Sequence, residues 1–531
     1  MSEPRQPTPQ DGPPAQVPLE GLPPPTVPQS APPVEPFPWR RLDPRMLLVH
    51  PVLELVKFFP FLVGIFVLGR SGEDNWWQFI GVGIPIALGV MRFLTTTYRV
   101  TQTQVELQRG LIGKKVVTAR LDRVRAVELT SSPIHRLLGL AKIEIGTASG
   151  GKQDDDKFAL DSLPMAEARE MRVALLHRTE APASFQLVVG PPHSDDVSNG
   201  PSRADVVLVR LDPRWVRFAP LTSSGNVIAA GLLALFGQFA DRANLDIVTE
   251  KQAEGLLTGI SVVLVVVLVP LSFIILGAVF AILGYLISNW GFTLSRDARG
   301  LVFQVRRGLL TTTETSLERE RVRGLEVGEQ LGLRLAGAGR LSAVVTGISK
   351  DERSSTQLVP PAPIEVVAHV GAELLEDASP MRLTLQQHGP AARRRRYTRA
   401  LLGASVVPVL ALVLSLTTPL PWWAVLPALS TLPIGLALAA DRYRRLGHGL
   451  TEGYLVVRSG TLRGRRDVLQ RSGVIGWNVQ QSWFQRRAGL VTLVATTAAG
   501  QQAYAAIDIP EGMAVALADA AVPGLLTPFL S

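Results

Sequence analysis

The sequence predicts an integral membrane protein in which α-helical hairpins are combined with small antiparallel β domains, as three repeats of one transmembrane helix pair plus one barrel-like domain with a C-terminal helix. Three observations predict it: a motif of fixed spacing occurs three times, each copy follows a pair of apolar segments, and short period-two stretches dominate each copy. Counting from Gly110, Gly308 and Gly460, a valine follows at the fourteenth position (Val124, Val322, Val474), an arginine at the twenty-sixth (Arg136, Arg334, Arg486) and a glycine at the twenty-ninth (Gly139, Gly337, Gly489). Each copy of an internal repeat is one structural unit, so the organisation is set before any residue has a role.

The apolar segments come first in each repeat. A chain of 531 residues that is 47% hydrophobic and only 19% charged belongs with membrane proteins. A hydrocarbon core about 30 Å thick needs about 20 helical residues. Segments 52–68 and 77–94, 218–240 and 257–287, and 401–417 and 422–439 meet that need to different degrees. The fourth is the most apolar, while Pro220, Ser223, Ser224 and Asn226 dilute the start of the third. The expected helix pairs occupy residues 46–95, 216–288 and 399–440. The β domains follow at 96–180, 290–376 and 446–525, with linkers at 181–209 and, strongly basic, at 377–398. Residues 1–38 are rich in Pro, Gln and Ser and lack an apolar signal core, so a disordered tail is expected.

Arginine placement orients the chain. Arg40, Arg41, Arg45, Arg92 and Arg99 flank the first pair. Arg210, Arg214, Arg217, Arg296 and Arg299 flank the second, and Arg393–Arg396 with Arg442, Arg444 and Arg445 the third, while the tips between paired segments carry little positive charge. Positive flanks stay inside, so the N-terminus and every β domain are expected in the cytoplasm.

Within each copy, alternation such as Lys142-Ile143-Glu144-Ile145 marks antiparallel strands, and the origin glycine supplies positive φ in a hairpin. Leu111, Leu309 and Thr461 are expected to restart the strand. Pro164, Pro363 and Pro510 then introduce helix-like segments, where a missing amide hydrogen costs nothing.

The run LDRVRAVELTSSPIHRLLGLAKIEIGTASG, with its counterparts LERERVRGLEV and GVIGWNVQQSWFQRRAGLVTL, resembles the signature of the bacterial membrane-flanked PH-like domain family, the YdbS/YdbT-like proteins. The resemblance covers most of the chain from about Arg41. It implies a PH-like barrel with a capping helix and imports no established activity. The second copy departs from it by four extra residues near Asp297–Gly300, and the third has Gly473 where the others have Arg123 and Arg321.

Candidate site residues are basic. Arg136, Arg334 and Arg486 either pair with a phosphate or carboxylate or cap a turn within their own domain. Lys114 and Lys115, Arg306 and Arg307, and Arg463, Arg465 and Arg466 flank the turn glycines and either touch anionic headgroups or form solvated faces. No cysteine is present, which excludes thiol catalysis, disulfides and thiolate metal sites. The seven histidines form no HxH or HxxxH pair, and Asp154–Asp156 lacks a calcium-loop pattern, so no metal site is expected. Gly146, Gly151 and Lys152 have Walker spacing, but Gln153 stands where Ser or Thr is needed. No catalytic residue and no cofactor is expected.

These readings lead to a non-enzymatic membrane protein acting as a tethered binding or scaffold protein, in a setting such as envelope stress. Its partners would be the lipid bilayer, another membrane protein or a second copy, and anionic lipid headgroups, with no nucleic acid. The alternative is a regulatory or structural component of a transporter or channel, which the scarcity of ionisable residues within the apolar segments disfavours.

Overall fold

Strands pair where alternation predicted them, and each copy divides into two half-sheets of three strands. The computed structural model describes residues 39–47, 90–91, 94–101, 103–110, 115–120, 124–147, 158–176, 205–222, 231, 260–346, 356–418 and 425–524. The N-terminal tail, nearly all of the first expected helix pair, the Asp154–Asp156 loop and Lys114 lie outside the described residues.

The first copy contains β1 (Arg40–Arg41), β2 (Thr97–Val100), β3 (Gln104–Arg109) and β4 (Lys115–Arg120), then β5 (Val124–Ser131), β6 (Leu140–Thr147) and β7 (Phe158–Pro164). Between β5 and β6 lies α1 (Pro133–Leu137), and α2 (Met165–Leu176) follows β7. The second copy repeats the order with β8 (Val206–Arg210), the long α3 (Ile260–Asn289), β9 (Thr293–Arg296), β10 (Val302–Arg307), β11 (Thr312–Glu318), β12 (Val322–Gln330), α4 (Leu331–Leu335), β13 (Ala338–Val345), β14 (Gln357–Pro363) and α5 (Ile364–Leu375). After α6 (Ser379–Arg382) the third has α7 (Gly389–Thr417), α8 (Val425–Leu429), α9 (Thr431–Arg444), β15 (Gly447–Leu450), β16 (Tyr454–Ser459), β17 (Arg463–Gln470), β18 (Val474–Gln480), α10 (Trp483–Arg487), β19 (Leu490–Thr497), β20 (Ala503–Pro510) and α11 (Glu511–Ala521).

Hydrogen bonding runs from copy to copy, so the copies do not form three separately closed barrels among the described residues. The sheets are β1-β2-β3-β4, β7-β6-β5-β11-β10-β9-β8, β14-β13-β12-β17-β16-β15 and β18-β19-β20. The second half of one copy thus continues into the first half of the next. Each copy still encloses its own core between its two half-sheets. Leu107, Val127, Ile143 and Leu160 fill the first, Leu294, Phe303, Leu325, Leu341 and Val367 the second, and Leu455, Leu469, Leu493, Tyr504 and Leu517 the third.

The repeated glycines act as the spacing predicted. Gly110, Gly308 and Gly460 have φ of 109°, 111° and 92°, and a Cβ on Gly308 would lie 2.0 Å from the carbonyl oxygen of Thr311. Gly139, Gly337 and Gly489 also have positive φ, and their carbonyls accept the backbone N–H of Met165, Ile364 and Glu511 at 2.9, 2.9 and 3.3 Å. The later glycine therefore ties each C-terminal helix to its sheet.

Several sequence expectations shift. Leu309 and Thr461 lie in the turn rather than in a strand, and pairing resumes at Thr312 and Arg463. The cause at the second copy is that Gly308 and Leu309 donate to Trp290 and Ile287 at 2.9 and 2.8 Å, binding the turn to the end of α3. Pro363 and Pro510 are N-caps with ψ of 140°, one position before the first helical residue, because they also end the preceding strand. Residues 206–209, read as the end of a linker, form β8 together with Arg210 and pair with β9. The helix α7 starts at Gly389, twelve residues before the apolar run at 401, because its arginines are good helix formers in water. Phe218, expected to open a membrane segment, is buried with Trp215 and Ala219 in a 3-10 helix, Pro213–Leu221, within the second core.

Three described helices are long and apolar enough to cross a membrane, covering Leu271–Asn289, Gly389–Thr417 and Val425–Arg444. Their apolar residues, among them Ile274, Leu402, Leu410 and Ile434, are exposed, as lipid contact requires. The helices α7 and α9 pack against one another: Thr431 Oγ1 donates to the carbonyl of Ala404 at 2.8 Å, and Gly435 faces Ala404.

Candidate anion-binding pocket

At the foot of the third helix pair, Arg445 and Arg458 converge on the carboxylate of Glu329, and Arg466 stands beside Arg458. Arg445 follows α9 and is brought into the protein by the C-terminal turn of that helix, its N–H donating to Asp441 at 3.1 Å. Arg458 on β16 and Arg466 on β17 are direct partners across the ladder. Like charges directly opposite one another are destabilising, so their conjunction needs compensation. The nearest carboxylate is Glu329 on β12, which pairs with Arg445 and accepts from Arg458 at 3.0 Å.

Burial sharpens the imbalance. Arg445 is only 3% exposed, and its Nε and Nη1, with the Nε of Arg458 and of Arg466, are buried without a hydrogen-bond partner. Arg466 donates to the carbonyls of Pro380 and Leu383 at 2.7 and 2.9 Å. Burial, and then the Arg458 charge, lower the Arg445 and Arg466 guanidiniums to about 10. Burial, then Arg334, lowers Arg458 as well. Gly464, opposite Glu329, makes the room: a Cβ there would stand 2.7 Å from the Arg445 Nη1. A cavity of about 220 Å³ opens on these side chains, with Thr384, Gln387 and the exposed Arg444 also on its wall. Three guanidiniums line this open space; Glu329 pairs with two of them, and the nearby Asp441 is itself paired with Arg334, so the cluster suits an anionic group, which guanidinium forks grip bidentately.

Only Arg466 among the sequence candidates lines this pocket. Arg136 Nη1 donates to the Leu309 carbonyl of the second copy at 3.0 Å, and Arg334 pairs with Asp441 at 2.9 Å. Arg486 makes a single local contact, to Gln481 at 3.4 Å. Arg306 lies 3.5 Å from Glu314, and Arg307 donates to Gln357 at 3.0 Å and is lowered by burial. Arg465 contacts Gln501 at 2.6 Å and Asp467 at 3.1 Å, while Lys115 and Arg463 stand exposed at strand starts. Arg445 and Arg458 were missed as site residues. Arg445 reads in sequence as an orientation flank, and Arg458 as one charge in an alternating strand.

A second polar cluster sits beside the first residues of α7. Asp508, fully buried with φ of 58°, pairs with Arg395 and, at 2.7 Å, with Arg396, and accepts from Gln485 at 2.9 Å. His388 and His448, 60 positions apart, meet at 3.1 Å, with His388 Nδ1 2.9 Å from the Ile507 carbonyl. Burial, and then the neighbouring His388, push His448 down to about 4. No group of three or more metal-ligating side chains occurs among the described residues.

The repeated half-sheets, the helix closing each copy and the apolar helices define a class: membrane proteins with reiterated PH-like domains. The bacterial PH domain family matches residues 51–179, 232–376 and 401–519, more than half of the chain, and the protein belongs to that family. Among individual proteins, it is similar to the UPF0699 transmembrane protein YdbT of Bacillus subtilis (strain 168), with 21% identity over 467 residues, 86% of this chain and 92% of that relative. No solved structure matches.

Proposed function

We propose that this membrane protein is a non-enzymatic scaffold of the bacterial cell membrane whose PH-like domains, held on the cytoplasmic side by repeated helix pairs, bind the phosphoryl headgroup of an anionic lipid. The observation that carries the reading is the set of Arg445, Arg458 and Arg466 on one cavity wall, only the first two of which pair with Glu329. The pocket adjoins the C-terminal end of α9, where a headgroup lies within reach. Tethering raises the effective concentration of such a ligand, so a weak site suffices.

The test is thermal unfolding of the full chain in nanodiscs. Phosphatidylglycerol is expected to raise the midpoint relative to phosphatidylcholine, and Arg458→Gln to remove most of that gain. Inorganic phosphate added to the phosphatidylcholine sample separates a lipid headgroup from a free phosphate, since stabilisation by phosphate with none by phosphatidylglycerol identifies a soluble ligand. No stabilisation by either overturns the reading.

Orientation is tested separately. In this cysteine-free chain, single cysteines at Ser71, Gln252 and Pro419 are expected to react with an impermeant thiol reagent from outside the cell, and one at Ser149 is not. Labelling of Ser149→Cys alone reverses the orientation.

A further inference from the structure

The two joints between copies are the same joint. Ser131, twenty-one residues past Gly110, is the partner of Thr312, four past Gly308; Glu329, twenty-one past Gly308, is the partner of Gly464, four past Gly460. The pairs Ala126–Leu317 and Gly324–Leu469 match in the same way. Such a head-to-tail joint joins two different surfaces, so it does not close on itself and, among the described residues, leaves one of each surface unused at the ends of the three copies.

Both unused surfaces are strand edges. β4 ends the β1-β2-β3-β4 sheet and β18 ends the β18-β19-β20 sheet. Val479 on β18 is 58% exposed, whereas its equivalents Leu129 and Val327, buried in the joints, are 4% and 3% exposed. Ile475 on β18 and Val116 on β4 are exposed too, as are Trp483 and Phe484 on α10. Val474–Gln480 contains no proline and no charge, the devices that normally protect an edge from another chain. Arg486 repeats the story: Arg136 and Arg334 each reach into the following copy, whereas Arg486, in the last of the described copies, makes only a local contact to Gln481.

We propose that β18 of one chain pairs with β4 of a second copy, extending the array by the joint already used twice within the chain. The shared register places Val479 opposite Val116, Gln480 opposite Lys115, Trp477 opposite Thr118 and Ile475 opposite Arg120, with no like charges facing. Joining the copies in this way buries Val479, Ile475 and Val116 together and continues the antiparallel ladder. Each chain presents both surfaces, so the product is a ring if the rotation closes and a filament in the membrane if it does not.

Cysteine crosslinking tests the register directly. Differently tagged chains carrying Val116→Cys or Val479→Cys are mixed in membranes and oxidised, since directly paired strand residues lie within disulfide reach. The expected result is a covalent dimer holding both tags, absent from either chain alone and at least tenfold weaker when Asn478→Cys replaces Val479→Cys. Three outcomes overturn the proposal: no crosslink in the mixture, a dimer from Val479→Cys alone, or a disulfide within one chain carrying both cysteines. A second variant, Val479→Lys, is expected to reduce the particle mass in nanodiscs to one chain with an unchanged unfolding midpoint. A wild-type particle of one chain under the same conditions also overturns it.

Discussion

The two polar clusters at the foot of the third helix pair are built from the same side chains to opposite effect. Around Asp508, two arginines share one fully buried carboxylate, Gln485 donates to it, and His388 and His448 meet alongside. Around Glu329, Arg445 and Arg458 share one carboxylate, and a cavity opens on them and on Arg466, which has no carboxylate partner among the described residues. Arg396 also keeps its Nε unpaired, but it does not line that cavity. The difference is one of purpose. The first cluster spends its charges on fastening the base of α7 to β20, whereas the second holds an excess that a ligand can neutralise.

Removing each carboxylate breaks the comparison most strongly. Asp508→Asn strands Arg395 and Arg396, one of them 4% exposed, and the expected loss is about 3–5 kcal/mol, the range for breaking a buried ion pair. Phosphate should restore none of it. Glu329→Gln is also destabilising, but at a phosphate concentration 100-fold above Kd about 2.7 kcal/mol returns. Denaturant unfolding of both variants, with and without phosphate, checks the pair. Equal rescue of both, or of neither, removes the distinction.

Acid sharpens the same contrast through His448, which belongs to the first cluster. His448 has a folded pKa near 4, below its ordinary 6.5, so the unfolded chain binds more protons between those values. This contribution is nearly complete above pH 6.5 and falls as pH drops toward 4, by about 3 kcal/mol. The buried Asp467, raised to about 7 by burial and the nearby Glu326 despite the opposing Arg465 charge, acts with the opposite sign. The difference between wild type and His448→Gln isolates the histidine: the wild type should lose more stability between pH 6.5 and 4, and parallel curves would count against the assignment.

Much of the scaffold was legible because its signals are local. Gly110, Gly308 and Gly460 announced positive φ by recurring at one spacing, and the apolar run of α7 was visible by composition. What escaped depends on partners far away in sequence. The edge strand β8 carries the β-branched run Val206-Val207, yet nothing nearby marks its partner Ser295, beyond a membrane helix. The joint of β5 with β11 links Ser131 to Thr312, and no pattern within either strand states that pairing. The pocket was hidden for a related reason. Arg445 beside an apolar segment reads in sequence as an orientation charge, and only the register of β16 with β17 shows Arg458 and Arg466 together.

The smallest expected effect lies at the mouth of the pocket. Arg444 precedes Arg445 but is exposed, so its charge is largely solvated and Arg444→Gln should leave stability within about 0.5 kcal/mol. Its contribution to ligand capture is long-range: a rim charge alters the association rate and its salt dependence more than the dissociation rate. Stopped-flow binding to phosphatidylglycerol vesicles should therefore show Arg444→Gln slower to associate at low salt, with the deficit shrinking as added salt shortens the screening length to about 8 Å at 0.15 M. Arg458→Gln, inside the pocket, should instead dissociate faster at every salt concentration. If the two variants change the same rate constant, the pocket has no inside and outside, and the charge excess around Glu329 is a surface field instead of a site.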